Sequence, residues 1–139
     1  MFSRFELEGG NFSKAGYASS QIKKVLRQLG IDPKIIKRTV VALYEAEVNV
    51  VAHAWRGVAE IEITPDRISM ILTDEGPGIA DIPLAMQEGY STASPEVREM
   101  GFGAGMGLSN MKKNVDELNI ESQVGKGTTV KMITWLAKT

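Results

Sequence analysis

Residues 74–107 are rich in glycine, proline, serine and threonine and offer only short helical candidates. So long an irregular stretch inside a compact domain is usually a functional one. The scaffold must come from the flanking segments, and both read as regular structure. Residues 2–8 alternate apolar and polar side chains, the period of a strand, and Gly9, Gly10 and Asn11 break it. Ile22, Val25, Leu26 and Leu29 fall at helical spacing, with Gly30 as a stop. Asp32-Pro33 starts a second helix, Asp as the cap and Pro in the first helical position. That helix carries Ile36, Val40, Leu43 and Val50 on one face and is expected to run to about Ala54. Two strands are expected near 58–63 and 67–73, joined by a turn at Thr64-Pro65-Asp66. After the irregular stretch a helix resumes at about Gly107, with Leu108, Met111, Val115 and Leu118 on its period. Segments 120–124 and 128–135 form a closing hairpin around Gly125-Lys126-Gly127. The expected fold is α+β: a two-layer sandwich, one domain over 1–139, with helices on one face of a mixed, mostly antiparallel sheet.

Composition removes several classes of function. The 16 basic residues nearly balance the 17 acidic ones, for a net charge of -1, so bulk electrostatics points to neither nucleic acid nor a membrane surface. The absence of cysteine excludes disulfides and thiolate metal sites, and one histidine cannot make a His-rich site. The N-terminus lacks the basic and apolar blocks of a signal peptide, and no apolar run is long enough to span a bilayer. The expected compartment is the cytoplasm.

Four pieces carry chemistry. The first is Glu45-Ala46-Glu47-Val48-Asn49 in the second helix, where Glu45 and Asn49, four apart, share a face and His53 lies one turn on. A solvated polar face would explain such a pair in isolation. The apolar neighbours Val40, Val41, Leu43, Val48, Val50 and Val51 argue instead for a stripe facing a cavity or a ligand. Glu47 points elsewhere and is expected to face solvent. The second piece, Asp74-Glu75-Gly76-Pro77-Gly78-Ile79, follows a strand and puts Asp74 where the chain leaves the sheet; a plain tight turn reads the same way. In the third, Gly101-Phe102-Gly103-Ala104-Gly105-Met106-Gly107-Leu108, alternate glycines run into a helix start, where backbone N–H groups and the helix dipole suit phosphates. The fourth, Gly125-Lys126-Gly127-Thr128-Thr129, is by itself only a turn. A Walker A loop fails because Gly125-Lys126 is followed by Gly127. A dinucleotide fingerprint fails because the glycines alternate strictly and do not follow a first strand.

In order and spacing the four pieces resemble the N, G1, G2 and G3 boxes of the GHKL (Bergerat-fold) ATPases, the gyrase, chaperone, histidine-kinase and MutL relatives, over nearly the whole chain. The resemblance implies ATP and Mg²⁺ as cofactors. It makes Asn49 the Mg²⁺ ligand and Asp74 the acceptor of the adenine amine. Gly76, Gly78 and Ile79 form the loop past the base, and Gly101, Gly103, Gly105, Gly107 and Leu108 wrap the phosphates. Thr128 supports the adenine contact. Histidine-kinase ATPase domains usually carry Asn where this chain has Glu45, because their acceptor imidazole is already nucleophilic. A serine hydroxyl or a water benefits from a general base, so Glu45 argues for serine phosphorylation or ATP hydrolysis. The gyrase and MutL branches share the Glu but attach a transducer domain, for which 139 residues leave no room.

What remains resembles the stand-alone bacterial serine kinases that regulate sigma factors. Gly89-Tyr90-Ser91-Thr92 and the stretch from Glu121 to Val130 are similar to the switch kinase, whereas residues 93–100 make a longer loop than its own. The resemblance implies a serine/threonine-protein kinase acting on a STAS-domain partner, with a sigma factor or another regulatory protein as a further partner and a homodimer as one possible assembly. Arg98 and Lys112 are candidates for the γ-phosphate contact, and His53 is expected at the pocket rim. Two other readings stay open: an ATP-gated anti-sigma sequestering module with secondary catalysis, and an orphan histidine-kinase ATPase domain.

Overall fold

The alternation over Phe2–Glu8 forms strand β1, which turns Phe5 and Leu7 toward the helices. A short 3-10 turn at Phe12–Lys14 leads to helix α1 (Tyr17–Gln28), which buries Ala18, Ile22 and Leu26 at fourfold spacing and stops at Gly30, where φ is 70°. Helix α2 (Pro33–His53) starts as its sequence dictates: Asp32 Oδ1 accepts the Lys34 N–H at 2.8 Å, and Pro33 takes the first position. Strands β2 (Arg56–Ile63) and β3 (Arg67–Glu75) follow, then one turn of helix, α3 (Ile82–Ala85). Helix α4 (Gly107–Asn114) leads to strands β4 (Glu117–Gln123) and β5 (Gly127–Trp135). This computed structural model describes residues 1–87 and 107–136.

The five strands lie in the order β1-β2-β3-β5-β4, antiparallel at every described pairing. One face is wholly apolar at the centre: Ala59, Ile61 and Ile63 of β2, Ile68, Met70 and Leu72 of β3, and Val130 and Met132 of β5. Onto it packs α2 through Ile36, Leu43, Ala46 and Val50, with α1 on one side and α4 on the other. Burial of each Val, Leu, Ile or Met side chain among them contributes about 1.5–3 kcal/mol.

Three expectations need correction. Leu118 continues the helical period of Leu108, Met111 and Val115, yet α4 ends at Asn114 and Leu118 belongs to β4. The Asn114 amide turns back to the Asn110 carbonyl, and the Asp116 N–H is already taken by Ile133 of the neighbouring strand. Strand pairing to an available sheet edge overrides the periodicity. The pair β2–β3 also runs further than expected, through Gly57↔Asp74 and Arg56↔Glu75. Asp74 is therefore still in the ladder on its β2 side, while on its β5 side the pairing has ended at Thr73↔Thr129.

The third correction is Glu47, which is 0% exposed. Its carboxylate accepts the backbone N–H groups of Gly16 (3.0 Å), Ala18 (3.1 Å) and Ser19 (3.2 Å) at the start of α1. The N-cap residue of α1 is Gly16, which has no side chain to offer, so the orphan donors of the first turn are satisfied by a side chain from the adjacent helix. The same side of α2 takes Gly10 N–H on the Val51 carbonyl, and beyond its end Gly9 N–H bonds the Trp55 carbonyl. The β1–α1 connection is thus strapped to α2 at positions 51 and 47 and to position 55 just beyond its end.

Candidate nucleotide site

The second and fourth sequence pieces come together at one end of the sheet. Because β5 lies between β3 and β4, the β4–β5 hairpin carries Gly127 and Thr128 past the end of β3. There the Thr128 N–H donates to Asp74 Oδ1 at 3.0 Å. Gly127 can only be glycine: its φ is 154°, and a Cβ on it would collide with the Asp74 carbonyl. The loop after Asp74 is laced to the hairpin tip by Gly76 N–H to the Lys126 carbonyl (3.0 Å) and Gly125 N–H to the Pro77 carbonyl (2.8 Å). Gly78 has φ 77°, and a Cβ there would sit 2.5 Å from the Gln123 carbonyl, so this close approach also requires glycine.

Ser122 escaped the sequence reading. Its hydroxyl oxygen accepts the Ile79 N–H at 2.7 Å, and the hydroxyl donates to the Gly127 carbonyl at 3.1 Å. It also shares a 2.8 Å hydrogen bond with the Thr128 hydroxyl. One side chain thereby ties the Asp74 loop to the hairpin. The available signal was the hairpin register, which sets Ser122 opposite Thr128. Thr128 itself is 5% exposed and reaches Asp74 through its backbone N–H, with its hydroxyl engaged by Ser122.

Asp74 is half-buried, and among the described residues nothing claims its second carboxylate oxygen. Burial lifts its carboxyl above the usual aspartate value, and the Thr128 N–H pulls it part of the way back. A Cβ built on the neighbouring Gly57 would touch both Asp74 Cβ and Val50 Cγ1, which places Asp74 beside the turn of α2 that carries Asn49. Asn49 is half-buried, and its amide has no hydrogen-bond partner among the described residues. His53 follows one turn later, where burial lowers its pKa and keeps the ring neutral at neutral pH. Glu45, half-buried at the other end of this stripe, accepts the Asn110 amide N–H from α4 at 3.3 Å.

The third sequence piece is reached only at its end. Gly107 opens α4 beside Glu45, and Leu108 is 7% exposed with its side chain in the hydrophobic core, so only its backbone is available to a ligand. Gly101, Gly103 and Gly105 lie outside the described residues, as do Arg98 and 89–92. Lys112 is exposed and, two residues beyond Asn110, projects roughly 200° around α4 from the side that meets Glu45. A hollow of about 370 Å³ at the hairpin tip has Asp74 and Thr128 on its wall. It is otherwise bounded by outward-facing residues such as Glu121 and Thr129, and it does not reach Asn49 or Glu45.

Among the described residues, one Asp74 carboxylate oxygen and the Asn49 amide are thus without a partner, and Glu45 lies further along α2 beside α4. This donor set suits a purine amine and a hard cation carrying phosphates. No described helix is long and apolar enough to cross a membrane.

Comparison with known proteins bears on these features. The family described as "Histidine kinase-like ATPase domain" matches residues 14–134. The serine/threonine-protein kinase RsbT of Bacillus subtilis (strain 168) is 33% identical over 118 residues, covering 82% of this chain and 83% of its own. An anti-sigma F factor of Caldanaerobacter subterraneus subsp. tengcongensis is 36% identical over 115 residues, covering 78% of this chain and 77% of its own. Among solved structures, the RsbU and RsbW domains of a Mycobacterium tuberculosis protein superpose with a TM-score of 0.64 at 18% identity. That match covers 98% of this chain, which spans only 32% of the larger one. The mycobacterial sensor histidine kinase MprB gives 0.56 at 15% identity over 100% of both chains. At such identities these two structures speak for the fold alone.

Proposed function

The chain belongs to the histidine kinase-like ATPase domain family, and on that premise we propose that it is an ATP-dependent serine/threonine-protein kinase of the anti-sigma type. The observation that carries the reading is the stripe of Glu45 and Asn49 on α2 beside Asp74, with Asp74 Oδ1 held by Thr128 and its other oxygen unclaimed among the described residues. The free Asp74 oxygen accepts the adenine amine, while the loop through Gly76, Gly78 and Ile79 passes the base. Asn49 offers a neutral amide oxygen, a ligand suited to Mg²⁺. Gly107 and the backbone of Leu108 stand at the phosphate end, with Gly101, Gly103 and Gly105 before them. When bound, Mg-ATP supplies an electrophilic γ-phosphoryl group and a cation that offsets its charge. Glu45 would take the proton from the acceptor serine as that oxygen bonds the γ-phosphorus, while the bond from that phosphorus to the bridging oxygen breaks and ADP would leave with its electron pair. The partner is a regulatory protein carrying that serine, of the STAS-domain class. A cytoplasmic location, one domain over 1–139 and a homodimer as a possible assembly complete the reading.

The testing experiment is calorimetric binding of ATP and ADP, with and without Mg²⁺, to the wild type and to Asp74→Asn. Mg²⁺-dependent binding is expected, weakened about 10- to 100-fold in the variant, because the amide replaces a charged acceptor and turns an N–H₂ toward a donor. No binding at millimolar nucleotide would sink the kinase reading. The pH dependence gives a second check. The bond to the adenine amine is strongest to ionised Asp74, whose pKa is raised, so affinity falls on acidification from a higher pH than an ordinary aspartate would set. Asp74→Asn removes that dependence; a wild-type affinity flat down to the usual aspartate range would count against Asp74 as the base-reading group.

The anti-sigma F factor relatives favour one alternative, a module that sequesters a sigma factor with catalysis secondary. A nucleotide-dependent pull-down of a sigma factor by a chain inactive in phosphotransfer would select it.

A further inference from the structure

We infer that Asn110 is a positioning residue for Glu45, and that the α2–α4 contact it makes sets the rate of phosphoryl transfer rather than the affinity for nucleotide. The inference rests on the reading of Glu45 as the general base. Asn110 Nδ2 donates to Glu45 Oε1 at 3.3 Å in a partly buried contact between elements 65 residues apart in sequence. The other carboxylate oxygen, Oε2, lies toward Gly107 at the start of α4; a Cβ at position 107 would stand 3.5 Å from it. One oxygen is thus held and the other is turned to the end of the site where the phosphates are placed.

Asn110 is itself on a fixed element. Leu108 and Met111, on either side of it, are in the core, and the Asn114 amide donates to the Asn110 carbonyl at 2.8 Å. A glutamate on a helix edge otherwise samples several rotamers, and selecting one costs conformational entropy. A donor on a rigid neighbour selects it in advance. A neutral amide orients Glu45 by a hydrogen bond without placing a charge beside it.

The test uses single-turnover phosphate release from Mg-ATP, with water as acceptor, alongside calorimetric affinity for Mg-ADP and a thermal melt as a folding control. Asn110→Leu, close in shape but without a donor, is expected to lower the turnover rate about 10- to 100-fold with Mg-ADP affinity unchanged. Asn110→Gln keeps an amide donor and is expected to recover part of the rate. In a Glu45→Gln background Asn110→Leu is expected to remove nothing further, since the group it positions is already gone. Wild-type turnover in Asn110→Leu, with Glu45→Gln defective, would overturn the role of Asn110 and leave the general base standing. Equal losses from Asn110→Leu in both backgrounds, or a loss matched by weaker Mg-ADP binding, would also overturn it. Wild-type turnover in Glu45→Gln would overturn the general-base reading and this inference together.

Discussion

Glu45→Gln is expected to bind Mg-ATP like the wild type and to lose phosphotransfer to its protein partner by about 10²- to 10⁴-fold, the range general-base catalysis supplies. The amide is nearly isosteric and can still meet Asn110 through its carbonyl oxygen, so the fold and the α2–α4 contact survive. What disappears is the ability to accept a proton. A serine hydroxyl is hardly ionised at neutral pH, so without a base the proton must leave unaided while the phosphorus–oxygen bond forms. The effect should fall on kcat, because Glu45 acts as the transition state is reached, and leave the KM for ATP close to its wild-type value. Radiolabel transfer from ATP to the partner serine in single turnover measures it. Transfer at the wild-type rate would show that Glu45 is not the base; a parallel loss of ATP affinity would make it a binding residue.

Glu47→Ala should unfold the chain more readily than any surface substitution, by about 3 kcal/mol, because it strips the acceptor from three backbone N–H groups at once, two of them buried. The carboxylate also sits at the positive end of the α1 dipole, which favours its charge. For a domain of this length the loss corresponds to a drop in melting temperature of roughly 10 °C. Glu47→Gln should cost about half as much: it keeps the shape and one acceptor oxygen but turns an N–H₂ toward groups that are themselves donors. Thermal melts give the total, and amide exchange at Gly16, Ala18 and Ser19 localises it. A Glu47→Ala protein that melts within about 2 °C of the wild type, with exchange at those amides unchanged, would mean that water replaces the carboxylate without loss.

The contrast between Glu45 and Glu47 marks how far sequence could reach. Both are carboxylates on one helix, two positions apart. Fourfold spacing to Asn49 singled out Glu45, and the structure puts it opposite Asn110. Glu47 points elsewhere on α2, which reads as a solvent-facing position, yet it is 0% exposed. That α1 begins there with a glycine cap lacking any side chain was not visible from α2 alone. Ser122 repeats the point: an ordinary serine in a strand gains its importance from Ile79, 43 residues away, and from Thr128 across the hairpin. Leu118 shows the opposite failure, where a correct helical period was outbid by an open strand edge.

The local signals in the sequence are those that act within a turn or two: alternation for β1, the Asp32-Pro33 start, the Gly30 stop, the glycine-bounded hairpin, and the fourfold spacing of Glu45 and Asn49. Each is fixed by backbone geometry or by side-chain period, and needs no distant partner. Only the tertiary structure decided that β5 inserts between β3 and β4, so that Thr128 meets Asp74, and that α4 sets Asn110 against Glu45 and α1 plants its first turn on Glu47. These contacts join residues 28 to 65 positions apart, and they form because the apolar faces of helices and sheet must cover one another, a demand that sums over the whole chain and is written in no single segment of it.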